Sequence, residues 1–169
     1  MRVSAMTLRI KLAALAFGGI MGGCASVDPA PQSGAITYEI TSQGPFCLSG
    51  CEFIKFTALP FGEVRLERWS TNGKRDIRTE RRVLHIRPDQ LAAFRNRLEP
   101  LRPKGIQRRN GSDSCRSFTD DLAEVEVRWS GAHGVDQLVF GFGCDLESSA
   151  SMREALREAP LLIDIRSPL

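Results

Sequence analysis

The sequence predicts an α+β domain, an antiparallel sheet of about five to six strands with two helices packed on one face, stapled by disulfides. Three observations carry this expectation. Apolar residues recur with period two in short runs, as in Ile36, Tyr38 and Ile40 alternating with Thr37, Glu39 and Thr41, the signature of a strand with one buried face. The elements follow the order strands, helix, hairpin, helix, with no strand-to-helix alternation that would build a parallel sheet. Four cysteines, Cys47, Cys51, Cys115 and Cys144, fall inside the patterned region.

The first strand starts at about Ile36, and a turn from Cys47 to Cys51 follows it. Phe53 to Leu59 reads as a second strand, and Pro60-Phe61-Gly62 turns the chain into a third, with Val64 and Leu66 facing in and Arg65 and Glu67 facing out as far as Trp69. Asn72-Gly73 is the strongest hairpin signal in the chain, because both central positions of a type I′ turn need positive φ. It predicts a fourth strand, Arg75 to Ile86, paired with the third. Val83 and His85 alternate there with Leu84 and Ile86, which makes His85 a sheet residue and not a catalytic one.

Pro88 and Asp89 suit the first turn of a helix. It runs to about Glu99 with Leu91, Phe94, Leu98 and Leu101 on one stripe, and Pro100 and Pro103 stop it. Lys104 to Ser114 has no apolar period and reads as a mobile polar excursion. Leu122 to Trp129 is the next strand, burying Ala123, Val125, Val127 and Trp129. Ser130 to Gly134 is a turn with His133 at its tip, and Val135 to Phe142 is the last strand. Ser148, Ser149 and Ser151 offer helix caps, and Ser151 with Glu154 has capping-box spacing. Met152, Ala155, Leu156 and Ala159 form the helix face, after which Leu161, Leu162, Ile163 and Ile165 tie the end of the chain to the core.

Four cysteines allow three connectivities. Spacing favours Cys47 with Cys51, across Leu48-Ser49-Gly50, and Cys115 with Cys144, at the outer ends of the hairpin centred near Ala132. From that centre Cys144 is 12 residues away and Cys115 is 17, so a bend near Ser117 to Asp121 has to absorb the difference. Closing this longer loop is worth about 3 kcal/mol, whereas the short one gains little. Cys47 and Cys51 also admit a chemical reading as a redox pair or a copper site. Three intervening residues do not match the thioredoxin or haem-attachment spacings, and nothing in the sequence recruits His85 or His133. No metal or cofactor is expected.

The compartment is read from the start of the chain. Arg2, Arg9 and Lys11 precede an apolar stretch from Leu12 to Met21, and Ile20-Met-Gly-Gly-Cys-Ala-Ser26 closes it. This is the three-part form of a secretory signal. About ten apolar residues are too few to span a bilayer, which takes about 20. Small residues directly before Cys24 resemble a bacterial lipobox, which implies cleavage after residue 23 and acylation of Cys24; Met21 stands where Leu is usual, and a secreted protein with a stray cysteine is the alternative. The expected organisation is thus a signal peptide over 1–23, a flexible tether over 24–35 containing Pro29 and Pro31, and one domain over 36–169. Ala25 after the cysteine resembles lipoproteins sorted to the outer membrane, facing the periplasm.

Without residues 1–23 the chain holds 20 Lys plus Arg against 20 Asp plus Glu, since all three signal-segment charges are basic. The net +3 of the whole chain is therefore no argument for a nucleic-acid partner. Charge is nonetheless uneven: 14 basic and 6 acidic residues lie between Gly62 and Gly111, and 5 basic and 11 acidic between Ser112 and Leu169. Either the middle presents a basic face to an anionic partner, or the halves neutralise each other through ion pairs. The interleaved Glu67, Asp76 and Glu80 favour the second.

No nucleophile elbow, zinc-protease motif, phosphate loop or dinucleotide fingerprint is present. Asp120-Asp121 beside Thr119 reads as a turn and cap more than as a carboxylate site. The lipobox, the Ile-Thr-Tyr-Glu-Ile strand, Phe46-Cys47-x-x-x-Cys51, Thr119-Asp120 before Val-x-Val-x-Trp, and Cys144 together resemble the envelope-protein family filed as domain of unknown function number 6438. Glu52 stands where that family usually has proline, and Phe61-Gly62 where Asp-Gly is frequent. The family has no established activity, so the resemblance implies a lipoprotein with an α+β domain and no catalytic residues. Function is expected to be non-enzymatic, a binding or structural role at the membrane surface with an envelope protein partner. The alternative is a thiol-redox or copper-handling role for Cys47 and Cys51.

Overall fold

The computed structural model describes residues 33–41, 51–71, 77–120 and 122–166. They form one mixed seven-stranded sheet and two helices. The strands are β1 (Ile36–Thr41), β2 (Cys51–Ala58), β3 (Glu63–Thr71), β4 (Ile77–His85), β5 (Ile106–Arg109), β6 (Glu124–Gly131) and β7 (Gly134–Gly141), and the helices are α1 (Pro88–Leu98) and α2 (Ala150–Glu158). The sheet order is β4-β3-β2-β1-β6-β7-β5.

The α+β class and two helices agree with the sequence expectation, but the strand count and the purely antiparallel sheet do not. Five of the six strand pairings are antiparallel, while β5 runs parallel to β7, with Ile106 opposite Gln137 and Arg109 opposite Phe140. The seventh strand lies inside the polar segment read as a mobile excursion. Alternation could not reveal it, because Ile106 is 69 % exposed and the rest of the strand is Gln-Arg-Arg.

The other strands follow their pattern. Ile36, Tyr38 and Ile40 are buried and face Val125, Val127 and Trp129 on one side and Ile54, Phe56 and Ala58 on the other. Both helices cover this face. Phe94 of α1 packs on Phe56, ring centroids 5.7 Å apart, and Phe56 stacks on Tyr38 at 5.2 Å. The Tyr38 hydroxyl donates to the Leu156 carbonyl in α2 at 2.5 Å, which satisfies the one polar atom of a fully buried ring. The other face is mostly polar, although Val139 is buried on it. It carries the Lys55–Glu39 and Arg81–Glu67 pairs and a hydrogen-bonded Thr37–Thr57 pair, with Phe53 stacked on Trp69 toward its far end.

Turns and ends follow local chemistry. Gly62, at φ +87°, closes the β2–β3 turn, and a Cβ there would lie 2.7 Å from the Ile86 carbonyl oxygen. The Asn72-Gly73 turn lies outside the described residues, yet β3 and β4 pair in register from Glu63–His85 to Thr71–Ile77. The expected Ser151–Glu154 box does not cap α2. Its N-cap is Ser149, whose hydroxyl lies 2.7 Å from the Cys144 carbonyl and 2.9 Å from that of Asp145. Ile163 and Ile165 are buried, while Leu161 is exposed at the surface of the final 3-10 turn (Ala159–Ile163).

Candidate functional site

The chemistry-bearing side chains gather at the β5–β7 end of the sheet. Two aspartates hold β5 there in the absence of an apolar face. At its start, Asp136 of β7 accepts the Gly105 amide at 2.8 Å and Arg102 Nε at 2.7 Å. At its end, Arg109 lies over the Phe140 ring and donates to Asp145 at 3.0 Å. Asp145 also accepts the Ser117 amide at 3.0 Å. That amide first, and then the Arg109 guanidinium, hold its carboxyl below the usual carboxylate range against the opposing effect of desolvation. Asp136 is lowered likewise, by the Gly105 amide and then by Arg102. Both carboxylates are committed to structural bonds.

The same corner contains the predicted cysteine pair. Cys115 and Cys144 are buried with their sulfurs 2.07 Å apart and Cα atoms 5.4 Å apart, within the range of a disulfide. The bend that was to absorb the register difference is present: Phe118 bridges to Cys144, and the Thr119 amide donates to the Gly143 carbonyl at 3.0 Å. Gly143 is required there, since a Cβ would lie 1.9 Å from the Thr119 carbonyl oxygen.

Beside this corner, between the ends of the β6–β7 hairpin and α2, lies a cleft of about 250 Å³ lined by Leu122, Ala123, Phe142, Leu146, Arg153 and Arg157. The Phe142 amide donates to the Ala123 carbonyl and closes its floor. Arg157 lies over the Phe142 ring, 5.7 Å from its centroid, and Arg153 donates to the Ser149 hydroxyl at 3.0 Å. Sequence reading missed this cleft. Its signal is the four-residue spacing of Arg153 and Arg157, which places both on one helix face, next to leucines that flank the hairpin.

Cys24 and Cys47 lie outside the described residues, and of Cys51 only its backbone place at the start of β2 is described. The segment expected to be a signal, the expected Cys47–Cys51 bridge and Asp121 are likewise outside them. His85 sits exposed on edge strand β4 opposite Glu63, and His133 is exposed in the β6–β7 turn. Asp120 is exposed. Among the described residues three ion pairs join the basic middle to the acidic end, Arg97–Glu158 at 2.9 Å, Arg102–Asp136 and Arg109–Asp145, as expected if the two halves neutralise each other. Among the described residues no cluster of three or more His, Cys, Asp or Glu could hold a metal ion, and no helix is long and apolar enough to cross a membrane.

No protein-family model matches the chain, and no curated protein matches it.

Proposed function

We propose that the chain is a bacterial envelope lipoprotein, held at the outer membrane by acyl chains on Cys24 and facing the periplasm. It acts there without catalysis, as a binding or structural domain for an envelope protein partner. The observation that carries this reading is the buried Cys115–Cys144 pair at disulfide distance. Such bridges persist in oxidising compartments and are rare in the cytosol, in agreement with the signal-like segment that ends at Cys24. The likeness to the family of domain of unknown function number 6438 belongs to the same proposal and rests on its motif residues alone.

The test is the anchor. Cys24→Ser should leave the precursor unacylated, change its N-terminal mass and move it from the detergent phase to the aqueous phase. Identical masses and partitioning for wild type and variant would refute the lipoprotein reading.

A further inference from the structure

We propose that the cleft between the β6–β7 hairpin and α2 binds an anionic amphiphile, its charged oxygens on Arg153 and Arg157 and its acyl chain against Leu122, Phe142 and Leu146. The lining divides as such a ligand would require. Leu122 is 43 % and Leu146 42 % exposed at the cleft, while Phe142 at its floor is buried and has one face under the Arg157 guanidinium. Arg153 is held in place by the Ser149 hydroxyl, and Ser149 is fixed by the carbonyls of Cys144 and Asp145. Among the described residues neither guanidinium has a carboxylate within ion-pair distance. Two positioned guanidiniums above an apolar floor favour an oxyanion with a hydrocarbon tail.

Two further clefts among the described residues lack this combination. The one between α1 and α2 has Arg97, but that cation is already paired with Glu158. The one beside Cys115 is lined mainly by polar atoms and has Asp120 at its wall.

The site requires no acylation at Cys24, so it stands or falls separately from the anchor. Its volume, about 250 Å³, is just under the usual range for ligand pockets of about 300 to 1,000 Å³, which suits a short chain. The experiment is photolabelling of the full-length protein, mixed with phosphatidylcholine nanodiscs so that no anchoring is assumed, with a diazirine derivative of decanoic acid, followed by peptide mapping. Label is expected on peptides containing Leu122, Phe142 or Leu146, and unlabelled decanoate but not decanol should compete. Arg153→Gln with Arg157→Gln should reduce labelling at least about fivefold through loss of charge-assisted bonds, and the double Lys variant should retain most of it. If phosphatidylglycerol in the discs competes with the probe, the ligand is drawn from the bilayer; if it does not, the ligand is a free amphiphile. Label scattered over the open sheet face would overturn the proposal. So would competition by decanol equal to that by decanoate, a comparison made on the unaltered chain, or displacement by a leucine-terminated peptide where decanoate fails.

Discussion

The two halves of the sheet are held together by different means. From β1 to β4 each strand neighbours the next in sequence and runs antiparallel to it, and in β1 to β3 Ile36, Tyr38, Ile40, Ile54, Phe56 and Val64 alternate onto one buried face. From β6 through β7 to β5 the sheet becomes mixed, and its last strand has no buried apolar side chain. What the antiparallel strands, β6 and β7 included, achieve by pairing, apolar burial and tight turns, β5 and the segment between it and β6 achieve with two aspartates, a cysteine bridge and one close backbone approach. Periodic burial is spread over many contacts and tolerates single changes. Point tethers concentrate the same task in a few atoms.

The contrast predicts where damage is largest. Gly143→Ala drives a Cβ into the Thr119 carbonyl and should cost about 4 kcal/mol or prevent folding, as steric conflicts with backbone do. A urea midpoint equal to wild type would show that the close approach of the two segments is wrong. Next comes the bridge. Replacing Cys115 and Cys144, 29 residues apart, by serine should remove about 3 kcal/mol, and reductant should then lower the wild-type melting temperature without affecting the double variant. A peptide linking either residue to Cys47 or Cys51 in a non-reducing map would refute the pairing.

Asp145→Asn should have a smaller effect, and its pH dependence identifies it. The folded carboxyl titrates below its ordinary value because the Ser117 amide and Arg109 favour its charged form. Its stabilisation is therefore present above the unfolded value of about pH 4 and is lost as pH falls through the lower folded value. The Asn variant should lose the corresponding part of the acid-side slope in a stability profile, and hydrogen exchange should increase first at β5. An unaltered slope would remove Asp145 from the tethers. The smallest effect belongs to the antiparallel half. Arg81→Ala breaks the exposed pair with Glu67 and should change stability by less than about 1 kcal/mol; a larger loss would mean that point contacts hold this half too.

The same contrast explains what could be read from the chain beforehand. Ile36, Tyr38 and Ile40, the Pro60–Gly62 turn and the Leu91, Phe94 and Leu98 stripe announce themselves through spacing, because local periodicity decides their burial. The Cys115–Cys144 pair was legible because hairpin geometry brings the two positions together. Strand β5 was not, because it is held by Asp136 and Asp145 through bonds to residues 31 and 36 positions away, with no local signature. The amphiphile cleft was hidden for a similar reason: Leu122, Phe142, Arg153 and Arg157 come from three separate stretches of chain, and only the finished fold places them together.

Tyr38 is the only tyrosine in the chain, and it sits where both helices meet the sheet. Burial pushes its phenol far above the ordinary tyrosine value, and its hydroxyl donates its proton in a hydrogen bond to the Leu156 carbonyl. The folded protein is therefore expected to contribute little tyrosinate absorbance in the alkaline range in which a solvated tyrosine, with a pKa of about 10, would ionise. Ultraviolet absorption during a base titration becomes a built-in optical gauge, in which the phenolate signal counts molecules whose central layer has come apart.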